Sequence, residues 1–204
     1  MTEKLSAYLP YIPAPAQNHN RVVDIGCGRG EWLMLLKEQG YDVTGIDINQ
    51  VMVSTSNEQG LAVLNTDMLD WLRRQPDASL NAITAFHVIE HIPFDLLMRT
   101  TVEAYRVLIP GGVLIYETPN PENLLVGSHT FYHDPTHRNP VTPTLVTFLA
   151  EYSGFIDHQI KRLHPYPESA RLPGNDPVSE RLNGMLCGHQ DYALIARKSM
   201  QQEI

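Results

Sequence analysis

The chain has few cysteines, no basic tract and no long apolar run, and each absence excludes something. Two cysteines in 204 residues, Cys27 and Cys187, argue against a disulfide framework and for a reducing compartment. Cys27 reads as a small loop residue, not a nucleophile. Fifteen Lys and Arg stand against 23 acids, a formal charge of −8, and the cations cluster nowhere. A duplex or phosphate-backbone partner needs a basic stripe, so no nucleic acid is expected. No apolar run reaches bilayer length, and the first residues lack the basic-then-apolar pattern of an export signal. Membrane insertion is therefore not expected, and the expected location is the cytoplasm. Neither an internal repeat nor a low-complexity tract is present.

What the chain does have begins at residue 22. Val22 to Ile25 reads as a short apolar strand. Gly26-Cys27-Gly28-Arg29-Gly30 makes a loop in which the backbone approaches a ligand without a Cβ in the way. A helix follows with Trp32, Leu33, Leu35 and Leu36 on one face, stopped at Gly40. Strand, glycine turn and helix N-terminus together form a site for an anionic or nucleotide-like group. The spacing D-x-G-x-G-x-G is one residue tighter than the dinucleotide pattern G-x-G-x-x-G. A second strand, Val43 to Ile46, ends at Asp47, an acid placed to accept from both ribose hydroxyls. A third run, Leu61 to Leu64, ends near Asp67 and Met68, a carboxylate for an adenine amino group and a side chain to pack on the ring.

Acids at three successive strand ends, Asp24, Asp47 and Asp67, make residues 20 to 160 resemble the class I S-adenosylmethionine-dependent methyltransferases. The resemblance implies a Rossmann-like α/β fold: a mostly parallel seven-stranded sheet with a C-terminal antiparallel hairpin and helices on both faces. It also implies that the glycine loop holds the methionine part of the cofactor, and Asp47 and Asp67 the ribose and adenine. The expected cofactor set is Asp24, Gly26, Cys27, Gly28, Gly30, Asp47, Ile48, Asp67, Met68, Phe86 and His87. Each acid alone could equally be a helix cap.

The length suits one α/β domain with a modest insertion. Residues 1–20 are expected to form an N-terminal cap and linker, with Tyr8 or Tyr11 over the cofactor or merely packed on the sheet. Residues 21–198 are expected to form the methyltransferase domain, with loop insertions at 118–143 and 165–188. Asn49 and Asp67 to Arg74 mark two short helices, and Leu80 to Phe86 is the fourth strand. Pro93 opens a helix with Phe94, Leu97, Met98, Val102, Tyr105 and Leu108 on its packed face. Pro110-Gly111-Gly112 turns the chain into strand five, Val113 to Glu117. Thr142-Pro143 starts a helix whose face is Leu145, Phe148, Leu149 and Tyr152. Phe155 to Leu163 is strand six, Pro165 to Gly188 an irregular insertion, and Tyr192 to Arg197 the last strand.

Five of the nine histidines fall in two groups at strand ends, where open α/β sheets put ligands. His87, Glu90 and His91 stand at i, i+3 and i+4, the spacing of one helical face. His129, His133 and His137 lie in the long loop. The first group resembles the Glu-x-x-Glu-His of two divalent-metal families, the small-RNA 2′-O-methyltransferases and the ubiquinone-pathway O-methyltransferases. Thr118-Pro119-Asn120 matches a Thr-Pro-Asn of the former. His87 replaces the first Glu, which would favour a transition ion over magnesium. The expectation is that His87, Glu90, His91 and His137 converge, around a divalent metal ion or as a proton-accepting cluster. Glu90, His91 and His137 are the expected catalytic groups.

The runs from Glu117 to Gly127 and from Phe131 to Pro140 resemble bacterial methyltransferase domains found beside glycosyltransferases in surface-polysaccharide synthesis. That resemblance implies O-methylation of a sugar hydroxyl or glycan end, and association with glycosyltransferases. A small phenol or carboxylate as acceptor is the alternative. Two other classes are weighed: a nicotinamide oxidoreductase, opposed by the tight glycine spacing, and a catalytically silent cofactor-binding partner, opposed by the His-rich loop.

Overall fold

The computed structural model describes residues 2–17 and 19–200; Met1 and Asn18, in the expected cap and linker, lie outside the described residues. A short helix α1 (Thr2–Ser6) leads into β1 (Arg21–Ile25), α2 (Glu31–Glu38), β2 (Asp42–Asp47), α3 (Gln50–Glu58) and β3 (Val63–Asn65). Then come α4 (Met68–Arg73), β4 (Leu80–Phe86), α5 (Phe94–Val107), β5 (Leu108–Pro119) and α6 (Leu124–Ser128). The chain ends in α7 (Pro143–Tyr152), β6 (Asp157–Pro165), α8 (Pro177–Leu186) and β7 (His189–Arg197).

The seven strands form one sheet in the order β3-β2-β1-β4-β5-β7-β6. β1 to β5 pair in parallel, and β7 runs antiparallel to both β5 and β6. This is the expected doubly wound sheet with its terminal hairpin. Both faces are covered: α5 and α7 pack on one through Leu97, Ala104, Val146 and Leu149. The other carries α2 and the N-terminal segment through Leu33, Leu36, Tyr8 and Ile12. Side chains alternate along a strand, and Val22, Ala82, Val113 and Ala193 belong to the α2 face. The same parity sends Asp24, Thr84, Glu117 and Asp191 to that face, near the carboxyl ends of β1, β4 and β5.

Several boundaries and faces differ from expectation. Strand six starts at Asp157, and Phe155 is a buried residue before it. Strand five begins at Leu108 and carries Pro110-Gly111-Gly112 as a bulge, its register with β4 jumping from Leu108 to Val113. On α5, Phe94 and Val102 are exposed, while Thr100 and Thr101 are buried. Thr101 makes this tolerable by donating its hydroxyl to the Leu97 carbonyl at 2.8 Å, which satisfies the polar atom inside the helix. On α7, Phe148 and Tyr152 are exposed and Val146 and Ala150 take their places. The segment read as irregular holds the ten residues of α8, capped by Asp176.

Candidate active site

Two cavities open at the carboxyl ends of the parallel strands and share Gly26 and His87. The larger, about 870 Å³, is lined by Asp47, Ile48, Met68, His91 and His137 among others. The smaller, about 320 Å³, is lined by Asp24, Cys27, Phe86, Glu117, His164 and Asp191 among others.

The glycine turn builds the wall between them. Gly26 has φ +67°, and a Cβ there would stand 2.5 Å from the Val88 side chain. Gly28, at φ +54°, has nothing within 4 Å of where its Cβ would be, so the turn leaves room for a ligand. The amides of Gly28 and Asn49 donate to the two Asp47 carboxylate oxygens at 3.0 and 2.7 Å. Asp47 is thus held by backbone with lone pairs left for hydroxyl donors. Asp24 is buried, and one of its oxygens accepts from the Thr84 hydroxyl at 2.6 Å. Burial pushes its carboxyl up to about 7 despite that bond. Burial also pushes the Cys27 thiol up to about 12, with Asp24 and Asp47 adding to the shift. A thiol so protonated is no nucleophile. Asp67 is exposed and caps α4, one oxygen accepting from the Leu69 and Asp70 amides at 2.8 and 3.1 Å. Its neighbours Thr66 and Met68, but not Asp67, line the larger cavity. A carboxylate in a cavity, a glycine cradle and an anchored Asp47 fit a ligand with ammonium, sulfur and ribose parts.

The structure brings Glu90, His91 and His137 together: one ligand atom from each lies within 4.8 Å of the others. Their hydrogen bonds determine the tautomers. Thr136 gives its hydroxyl proton to Asp134 at 2.6 Å, so its oxygen accepts from His91 Nδ1 at 2.9 Å. His137 Nδ1 faces the Phe131 carbonyl at 2.6 Å, which can only accept. When neutral, both imidazoles therefore carry the proton on Nδ1 and keep Nε2 bare, the arrangement of a metal ligand or a base. Glu90 is fully buried; one oxygen accepts from Thr118 at 2.9 Å, and the other makes no hydrogen bond among the described residues but lies 3.3 Å from His87 Nδ1. Hydrogen bonds from the Thr136 side chain and amide hold the Asp134 carboxyl below its usual range. His129 and His133 meet edge to face, 4.7 Å between ring centres, and line neither cavity.

His87 does not join that trio. Residues 89–91 form a single 3-10 turn and His87 sits before it with φ +55°, so the helical i, i+3, i+4 face does not exist. Its ring lies between two carboxylates instead: Nδ1 is 3.3 Å from Glu90 and Nε2 3.5 Å from Glu117. Burial alone would lower this imidazole, but its contacts with Glu117 and Glu90 push it up to about 10. These contacts favour its charged form, and one ligand atom from each of His87, Glu117 and Asp191 lies within 4.8 Å of the others.

The smaller cavity is lined by Glu117, His164 and Asp191, for which the sequence reading assigned no site role, and Tyr8, expected over the cofactor or on the sheet, adjoins them. Tyr8 packs its ring 5.0 Å from Phe86 and donates to Glu117. Burial would raise the Glu117 carboxyl, but bonds from His87 and Tyr8 hold it below its usual range. Next to it, His164 Nδ1 is 2.7 Å from Asp191. Glu117 and Asp191 were legible only as acids near strand ends; nothing local marks His164.

A methyltransferase-domain family profile matches residues 1–160. A solved S-adenosylmethionine-dependent methyltransferase from Archaeoglobus fulgidus superposes with a TM-score of 0.89 at 34% identity, covering 97% of this chain and 92% of that one. The trans-aconitate 2-methyltransferase of Rhizobium leguminosarum is 33% identical over 132 residues, 62% of this chain and 48% of that protein. The ubiquinone biosynthesis O-methyltransferase of Histophilus somni is 31% identical over 124 residues, 55% of this chain and 51% of that protein. The chain spans about half the length of these two curated relatives.

Proposed function

Because the chain belongs to the methyltransferase domain family, we propose that it transfers a methyl group from S-adenosylmethionine to an oxygen acceptor, a sugar hydroxyl or glycan end of a surface polysaccharide. Asp24, the turn from Gly26 to Gly30, Asp47, Ile48, Met68 and Phe86 would hold the cofactor, which supplies an electrophilic methyl on a good leaving group. The chain's remaining task is positioning and proton removal. The observation that carries the oxygen reading is the pair of bare Nε2 atoms on His91 and His137 beside the buried Glu90. A hydroxyl must lose its proton, and this trio can either accept it or hold a divalent ion that acidifies the hydroxyl. The resemblance of residues 117–140 to polysaccharide-associated domains supports the acceptor class, a cytoplasmic site and glycosyltransferase neighbours. No helix among the described residues is long and apolar enough to cross a membrane. The curated relatives' names, trans-aconitate and ubiquinone, support the second reading, a small carboxylate or phenol acceptor.

Zinc titrated into the chelator-stripped protein should bind at the trio, and His91→Ala and His137→Ala should each weaken it about 10- to 100-fold. On the proton-accepting version, stripping and re-adding metal leaves methyl transfer unchanged while both substitutions slow it. Variants that bind zinc and transfer methyl like wild type would show the trio to be structural. Tight S-adenosylhomocysteine binding without transfer to any acceptor would mark a silent partner.

A further inference from the structure

Among the described residues, three that are not glycine have positive φ: Ala78, His87 and His164. Two of these are histidines, and both rings turn toward Glu117. A left-handed backbone at such a residue is strained and persists only where surroundings over-determine it. At His164 the consequence is a reversal of direction. Leu163 pairs with Asp191 across the hairpin and packs on the α2 face, so strand alternation would send the next side chain to the opposite face. The φ of +53° at His164 brings its ring back to the α2 face, against Asp191 at 2.7 Å. Both side chains are largely buried, 20% and 19% exposed, and both line the cavity that holds Asp24, Gly26 and Phe86.

We propose that His164, oriented by Asp191, is the base that takes the acceptor's proton in this smaller cavity, which leaves Glu90, His91 and His137 only the ion-holding role of the two given above, and that the acceptor there is an uncharged hydroxyl compound. The inference rests on the methyl-transfer reading above. A carboxylate accepts the Nδ1 proton, so the neutral ring presents a bare Nε2 to the cavity, the acid–histidine arrangement of a general base. In the step, a lone pair of the acceptor oxygen forms the O–C bond. The C–S bond breaks with its pair left on sulfur, which becomes a neutral thioether, and the hydroxyl proton passes to His164 Nε2. Positive charge moves from sulfur to an imidazolium flanked by Asp191 and by Glu117, whose oxygen is 3.9 Å from His164 Nδ1. Two carboxylates, Glu117 and Asp191, stand beside that ring, so its surroundings favour the charge and repel a carboxylate acceptor.

Imidazole nitrogen spectra of the full chain saturated with S-adenosylhomocysteine test the dyad without any acceptor, His164→Gln identifying the signals. Once the ring has released its first proton, His164 should carry its remaining proton on Nδ1, and Asp191→Asn should populate the other tautomer. A wild-type ring protonated on Nε2, or one indifferent to Asp191→Asn, overturns the dyad. Calorimetry should give His164→Gln and Asp191→Asn the wild-type affinity for S-adenosylhomocysteine within twofold. Failure of wild type to bind that ligand would sink the underlying methyltransferase reading instead. With labelled S-adenosylmethionine and methyl α-glucopyranoside, His164→Gln should lower kcat about 100-fold, and Asp191→Asn should lower it less and move the acidic limb of the rate profile. Wild-type kcat in His164→Gln removes the base, and faster methylation of trans-aconitate than of the glucoside overturns the acceptor class.

Discussion

Replacing Asp47 by alanine should weaken S-adenosylhomocysteine binding by roughly 100-fold, about 3 kcal/mol, with the fold intact. On the proposed reading its carboxylate accepts two ribose hydroxyls, and a hydrogen bond to a charged group is worth about 1.5 kcal/mol or more. The same oxygens hold the Gly28 and Asn49 amides at 3.0 and 2.7 Å, so the substitution also releases the glycine turn from β2. Asp47→Asn should fall between, because its amide nitrogen cannot accept from one of those N–H groups. Calorimetry measures both. Wild-type affinity in Asp47→Ala would place the ribose elsewhere.

Asp24→Asn should make the ligand-free protein more stable at pH 8, by up to about 4 kcal/mol, and change little near pH 4. The sign follows from the direction of the shift. An aspartate ordinarily ionises near 3.8, whereas burial holds the proton on Asp24 up to about 7. Between those values the unfolded chain has lost a proton that the folded chain keeps, so stability falls by about 1.4 kcal/mol per pH unit. Above about 7 both states are ionised and the deficit is constant. Asparagine removes it, keeps the bond from Thr84, and turns its new donor toward the cavity that Asp24 lines. Calorimetric unfolding at pH 8 should show a gain of roughly 10 °C for the variant, and a much smaller one at pH 5. Equal melting temperatures at both pH values would mean that Asp24 bears no buried charge. On the proposed reading the ligand's ammonium supplies the missing cation. Affinity for S-adenosylhomocysteine should then rise as pH passes 7, and Asp24→Asn should flatten that rise.

Local chemistry made much of this legible. Asn49 and Thr142 cap α3 and α7 as their positions before apolar runs suggested, and Asp67, expected at the adenine, caps α4, because a cap needs only its own turn. Apolar periodicity was a poorer guide where polar residues satisfy themselves, as Thr101 does on α5, or where rings pair outside the core. Phe148 and Tyr152 lie 6.2 Å apart on the surface of α7, since two aromatics a turn apart can shield each other without the core. His87 failed for another reason: spacing implies a shared face only if the backbone is helical there, and its φ is +55°.

By itself, then, the sequence determined the strand–glycine–helix unit and the acids at the ends of β1 and β2, which follow from short-range steric and hydrogen-bonding preferences that a few neighbouring residues express. The closing antiparallel hairpin was legible only through the family resemblance. The sequence led to the expectation that Glu90, His91 and His137 meet; tertiary structure alone decided that His87 leaves that group and turns to Glu117. It alone joined His164 to Asp191, 27 residues away. Those pairings depend on strand register across β5, β7 and β6 and on two left-handed backbone angles. Such angles are stabilised by contacts between distant segments, so no local pattern of residue types records them.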